Sequence, residues 1–195
     1  MSPETLSVIT SLAIGLGLSA ACGFRVFVPF LIMSLAAKTG HLTLASGFDW
    51  IGSTPALIAF ATATGLEIAA YYVPWVDNLL DSVSTPSAVV AGVLVTASQV
   101  TDMDPLLGWS VAIVGGGGAA GVVQGLTTVT RGLSSLATGG IANPLVSTAE
   151  AGASIFLSAL AILVPLVAVL ALLLLLYYGA KKLFFRRREA ARAPA

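Results

Sequence analysis

Apolar positions along the chain fall in long unbroken blocks, without the short alternation of half-buried strands. A helix crossing about 30 Å of hydrocarbon needs about 20 apolar residues. Five apolar stretches stand out. Residues 5–37 are interrupted by Gly23 and Arg25, with Pro29 following. Residues 54–76 contain Glu67 and Pro74. Residues 86–101 are short. Residues 106–138 carry Arg131 near their end, and residues 144–180 carry Glu150 near their start and Pro165 in the middle. Turn residues separate the blocks: Thr39-Gly40, Gly52-Ser53, Asp102-Met103-Asp104-Pro105 and Gly139-Gly140. Stretches 5–37 and 106–138 exceed one plain span, and each holds an arginine. Gly23 and Pro29 predict a break around Arg25. Irregular backbone at membrane depth persists only where protein covers it or where it lines a wet cavity. The expected fold is all-α: a polytopic transmembrane helical bundle of about five crossings with interrupted helices.

Composition agrees. The 195 residues are 57% hydrophobic and 9% charged, against about 45–50% apolar and about 25% charged in soluble domains. Too few charges remain to cover a soluble surface. That excludes a soluble enzyme, a disordered chain and a nucleic-acid binder. Residues 5–22 end in Ser19-Ala20-Ala21-Cys22, like a lipoprotein cleavage site, but a secretory signal needs a positive start and the early charge is Glu4. The stretch reads as a span, with Cys22 a small buried residue. One cysteine, Cys22, forbids an internal disulfide, and a histidine-based metal site or a Ser-His-Asp triad would have to be built around the one histidine, His41. No catalytic residue, metal or cofactor is expected, and the chain does not read as an enzyme.

The formal net charge of +0 divides unevenly. Residues 1–180 form the transmembrane domain and hold three bases and eight acids. Residues 181–195 form a basic tail with six bases and one acid. Lysine and arginine mark the cytoplasmic side, so the C-terminus is expected there, resting on anionic lipid head groups. With five crossings, the preferred number, the N-terminus is outside and Lys38 falls on the same side as the tail; if residues 5–22 and 24–37 each count as a span, the N-terminus moves inside.

Small features recur in order. Arg25, Ser34-Leu35-Ala36, Gly40, Pro55, Glu67 and Val73-Pro74-Trp75-Val76 are followed by Arg131, Ser135-Leu136-Ala137, Gly140, Pro144, Glu150 and Val164-Pro165-Leu166-Val167. Repeats over 5–82 and 106–180, joined by 86–101, would be inverted, an arrangement that recurs in secondary transporters with the site near the midplane.

An ionisable group at the bilayer centre costs about 2.5–3.5 kcal/mol on insertion scales, so it faces protein or water and is usually paired. Arg25, Glu67, Arg131 and Glu150 are the candidates for binding an ion or substrate, and cross-paired Arg–Glu bridges are the structural alternative. Glu67, deep in an apolar stretch, is the foremost candidate and a potential proton carrier. Asp77 and Asp81, four apart on one helical face, read as a cation-attracting mouth or a solvated helix end. Asp102-Met103-Asp104-Pro105 reads as a turn with a helix cap. Gly117, Gly121 and Gly125 share one face and predict close helix packing, within the chain first and in a homodimer second. No helix shows a polar stripe on this reading.

These residues resemble a family. Gly23-Phe24-Arg25-Val26-Phe27-Val28-Pro29, Glu67 with Val73-Pro74-Trp75-Val76-Asp77 and Asp81, Pro86 with Ala91-Gly92, Thr130-Arg131-Gly132 and Asn143-Pro144-Leu145-Val146-Ser147-Thr148-Ala149-Glu150 together look like the bacterial integral-membrane family called domain of unknown function 4126. The resemblance covers roughly residues 10–180. Tyr71-Tyr72 and Ser84-Thr85 depart from it where members often carry charged residues. It implies a bacterial cytoplasmic membrane protein and supplies no activity. Two readings follow: a transporter or channel for an ion, small solute or lipid-linked anion, or a non-catalytic subunit or scaffold packed against a partner protein.

Overall fold

Ser2 and Pro3 open the first helix: the Ser2 hydroxyl accepts from Thr5 N–H at 3.2 Å, and Pro3 occupies a first-turn position that needs no hydrogen bond. The same logic repeats along the chain, as a computed structural model shows. It describes residues 2–101 and 103–190; the side chains of residues 74, 75, 77–79, 81, 82, 180 and 182–190 lie outside the described set. Helix α1 is Pro3–Cys22, α2 Phe27–Lys38, α3 Thr54–Ala70, α4 Pro74–Ala97, α5 Pro105–Val111, α6 Gly118–Thr138, α7 Asn143–Leu163 and α8 Pro165–Ala190. A short 3₁₀ turn, Asp49–Gly52, precedes α3, and a π segment, Ala112–Gly117, joins α5 to α6 without a break. Ser53 caps α3 ahead of Pro55, and Asp104 caps α5 by accepting from Leu106 N–H at 2.9 Å, the expected role of that turn. Asp102 lies outside the described residues.

The breaks follow the prolines. Val73 and Val164 adopt extended or irregular backbone immediately before Pro74 and Pro165, because the proline ring disfavours helical geometry in the residue before it. The stretch 144–180 is therefore two helices. Helix α4 begins at Pro74 and runs through Pro86, so the short stretch 86–101 is the second half of a longer helix. Gly139, at φ 62°, ends α6 in the left-handed conformation glycine tolerates.

Among the described residues, three helices are long and apolar enough to cross a membrane: Pro3–Cys22, Pro105–Thr138 and Asn143–Leu163, joined by shorter apolar helices such as Phe27–Lys38 and Thr54–Ala70. Large apolar side chains face outward, among them Leu66, Leu106, Leu163 and Leu170. Helices apolar on their outer faces as well as inside belong in lipid. The chain is an all-helical membrane protein with interrupted helices.

Neighbouring residues give the helix directions. Ser19 meets Gly116 and Gly23 meets the Ala120–Gln124 turn, so α1 runs parallel to α6. Gly15 lies beside Thr96 and Gln99, and Ser19 beside Gly92, so α4 runs antiparallel to α1. Met33 on α2 accepts from Ser98 and Gln99, next to the turn that Gly15 touches. The chain thus doubles back at the Gly23–Val26 break, and α2 returns toward the end from which α1 started. Helix α8 runs from Ala168, beside Gly17, to Gly179, beside Leu126, parallel to α1. Lys38 consequently lies at the end of the bundle opposite to the one Lys181 approaches. The expectation that Lys38 and the tail share a side does not hold, because the first stretch reverses instead of crossing once.

Candidate functional site

Gly23 makes the site possible. A Cβ there would come within 2.6 Å of Ala120 O and Val123 Cβ, so only glycine lets the end of α1 rest against α6. The helix stops, and Arg25 leaves the break with 1% of its surface exposed. Its Nη2 donates to Ser147 O at 2.9 Å and to the Ser147 hydroxyl. The same nitrogen lies 3.4 Å from Glu150 Oε2. Arg131, one of the buried residues of α6, takes hold of Glu150 through Nε at 3.0 and 3.1 Å and through Nη2. Tyr71, just past α3, presents its ring to both cations, with the Arg25 and Arg131 Cζ atoms 3.8 and 4.2 Å from its centroid. A guanidinium over an aromatic face is stabilised by the ring quadrupole, most when desolvated.

Glu67 behaves differently. Its carboxylate accepts from the backbone N–H groups of Val26 at 2.8 Å and Phe27 at 3.0 Å. These are donors at the start of α2, which has no side-chain cap of its own. Helix N-termini hold unsatisfied donors and partial positive charge, and Glu67 supplies both the acceptor and the negative charge. Of the cross-paired Arg–Glu bridges, the one between Arg25 and Glu150 forms, at 3.4 Å. Both arginines share Glu150, and Glu67 serves the backbone. Arg25 Nε and Nη1 have no hydrogen-bond partner among the described residues.

Helix α7 carries more polar character than expected. Ser147, Glu150, Ser154 and Ser158 are all buried and lie on one face at spacings of three and four. Ser154 donates to Ala21 O at 3.0 Å, while the Ser158 hydroxyl has no partner among the described residues. The absence of a polar stripe is therefore corrected. The signal was the helical period of small hydroxyl residues, hidden because serines in an apolar segment lower its hydropathy little. Glu150 sits seven residues into α7, about 10 Å along it at 1.5 Å per residue.

The remaining candidates divide. The Asp77 and Asp81 side chains lie outside the described residues. Gly117 packs on Val89 and Val93 of α4, and Gly121 on Val89, as the shared face predicted. Gly125 faces open space, although α4 still meets this turn of α6, where Gln124 donates to the Ser84 hydroxyl at 2.7 Å. The closest approaches are at Gly23, Gly92 and Gly116, on either side of the expected glycine face.

Residues 12–183 match a family described as domain of unknown function, DUF4126, and the chain belongs to it. No curated protein and no solved structure matches the chain.

Proposed function

We propose that this membrane protein is a small transporter or channel, with the Arg25–Tyr71–Arg131–Glu150 group and Glu67 as its working centre, for an ion, small solute or lipid-linked anion. One observation carries the reading. Among the described residues, Arg25 is buried at a helix break with two donor nitrogens unpaired, while the Glu67 and Glu150 carboxylates are already engaged. A purely structural centre gains by pairing every buried charge; surplus donors favour an anionic visitor. The helix breaks at Gly23–Val26, Val73-Pro74 and Val164-Pro165 suit the broken helices of transporters. Pro55 and Pro144 lie in the first turns of α3 and α7, which supports relating the two halves as an inverted repeat. On this reading the protein sits in the bacterial cytoplasmic membrane with its basic tail on the cytoplasmic side.

Flux into proteoliposomes tests it, with labelled phosphate and chloride as probes. Glu67→Gln keeps one acceptor for the α2 amides, so it is expected to purify like the parent. Loss of the Arg25 charge (Arg25→Gln) or of the Glu67 charge is expected to cut flux at least about tenfold, the effect of about 1.4 kcal/mol. Full flux in both folded variants would overturn the proposal.

The scaffold reading has its own support. Arg131 and Glu150 satisfy each other, and Gly118, Gly125 and Gly132 leave an open strip along α6 on which another helix could pack. Purification with a stoichiometric unrelated protein would favour it; a monomer or homodimer would favour transport.

A further inference from the structure

A cavity of about 500 Å³ lies between α2, α3, α4 and the Asp49–Gly52 turn, within the range of about 300–1,000 Å³ typical of ligand sites. Five of the described residues lining it are aromatic, namely Phe27, Phe30, Phe48, Trp50 and Phe60, in a chain that is 8% aromatic. Phe30 and Phe60 stack with centroids 5.2 Å apart, and Trp50 leans toward Phe60 at 6.1 Å. Trp50 is 56% exposed and Phe27 38% exposed, so ring surface is left uncovered by protein. Among the described residues the lining holds no charged side chain, and its hydroxyl is that of Ser87.

The charge at the Val26–Phe27 end of the cavity is negative. Both residues line it, and their amides donate to Glu67, Val26 N–H to Oε1 at 2.8 Å and Phe27 N–H to Oε2 at 3.0 Å. Accepting on both oxygens is the pattern of an ionised carboxylate, whose roughly four lone-pair sites these two bonds do not fill. Glu67 also stands seven residues past Phe60, on the same face of α3. Arg25 is turned to Ser147, Glu150 and the Tyr71 ring instead.

These walls discriminate between ligand chemistries. A neutral hydrocarbon chain gains from apolar area, but nothing from the rings' charge distribution or from the carboxylate. A small inorganic cation would surrender its hydration to walls with almost no oxygen. An anion would meet the negative faces of the rings and Glu67. A cation wrapped in apolar groups surrenders little hydration, and aromatic faces attract it, tryptophan most strongly.

We propose that this cavity binds a lipophilic organic cation of the quaternary ammonium or phosphonium class. Its substituents lie on the aromatic wall, and the ring faces and Glu67 complement its charge. The site goes beyond the transport reading and does not depend on it.

Tetraphenylphosphonium and tetraphenylborate have nearly the same shape and opposite charge, so comparing them separates charge recognition from apolar fit. Each is titrated by calorimetry into the full chain in a neutral detergent. The phosphonium is expected to bind with a Kd at least about fivefold lower, in line with cation–π attraction. Trp50→Leu keeps apolar bulk at a half-exposed position and removes the ring; Glu67→Gln removes the charge. Each should shrink the preference, and the double variant should abolish it. Trp50→Leu carries the test alone if glutamine at 67 disturbs folding. Ser87→Leu, which adds bulk from an exposed position on the wall, should weaken binding of both ions. Equal affinity for the two ions would mean an apolar cavity without charge recognition and overturn the proposal. Tighter binding of the borate would overturn it too, as would a phosphonium preference that survives Trp50→Leu unchanged. Flux that depends on Arg25 and Glu67, without phosphonium preference, leaves the transport reading standing and defeats this one. Phosphonium preference with full flux in the variants of the centre does the reverse.

Discussion

Glu150→Gln is expected to be the most damaging single polar substitution in the protein. Glu150 is the carboxylate that both Arg131 and Arg25 approach, and it is 6% exposed. Removing its charge takes from two buried guanidiniums the carboxylate they share. Breaking a buried pair by deleting one partner costs about 3–5 kcal/mol, a large share of the about 5–15 kcal/mol by which native proteins are stable. Here two pairs fail together. The expected result is a sharp loss of monodisperse protein on size exclusion in detergent, and a strongly lowered Tm for what remains. Arg131→Met on its own should also destabilise, because it strands part of the Glu150 charge. Combined with Glu150→Met, it should cost clearly less than the sum of the two, since a packed apolar pair replaces a packed ionic one. Arg25 then retains Ser147 and the Tyr71 ring. If Glu150→Gln melts within about 2 °C of the parent, equivalent to less than about 1 kcal/mol for a chain of this length, the charges are solvated and the account of the centre is wrong.

The four buried charges were visible in the sequence because an ionisable residue inside an apolar block is conspicuous. Their partnership was not. Equal numbers of arginine and glutamate suggested symmetric bridges, yet pairing depends on where helices end. Glu67 lies near the end of α3, level with the start of α2, so the nearest unsatisfied groups are backbone amides. Glu150 faces both arginines because α7 passes the break from which Arg25 emerges. The break itself was legible from Gly23 and Pro29. The sequence allows a reversal at that break without deciding it, since a helix that stops and a helix that turns back have the same local residues. Only the shared contact of Gly15 and Met33 with the end of α4 distinguishes them. Tyr71 escaped notice because an aromatic residue in an apolar segment carries no signal of the cations beside it.

The glycines give the second large effect, and its sign depends on position. Ser19 on α1, Gly92 on α4 and Gly116 in the π segment meet at one crossing, where the Ser19 hydroxyl donates to Gly116 O. A Cβ on Gly92 would stand 2.6 Å from Ala120 Cβ and 2.8 Å from Gly116 O, and one on Gly116 would stand 2.6 Å from Gly92 O. These neighbours are backbone or the first atoms of short side chains, with no flexible end to move aside. Alanine at either position must push two helices apart. Overpacking of a close-packed interior costs about 1–3 kcal/mol and sometimes more, and here the gain in helix propensity, about 1 kcal/mol for glycine to alanine, offsets only part of it. Gly92→Ala and Gly116→Ala are therefore expected to lower Tm. Gly118→Ala and Gly125→Ala meet nothing within 4 Å, so they are expected to leave Tm unchanged or raise it. Measured side by side in one detergent, the four variants should separate into two pairs. Gly118→Ala is the sharpest control, since it differs from Gly116→Ala by two positions along the same continuous helix and shares its composition and depth. A Gly118→Ala variant less stable than Gly116→Ala would mean that the crossing of α1, α4 and the π segment is misplaced, and with it the Gly23 contact that positions Arg25.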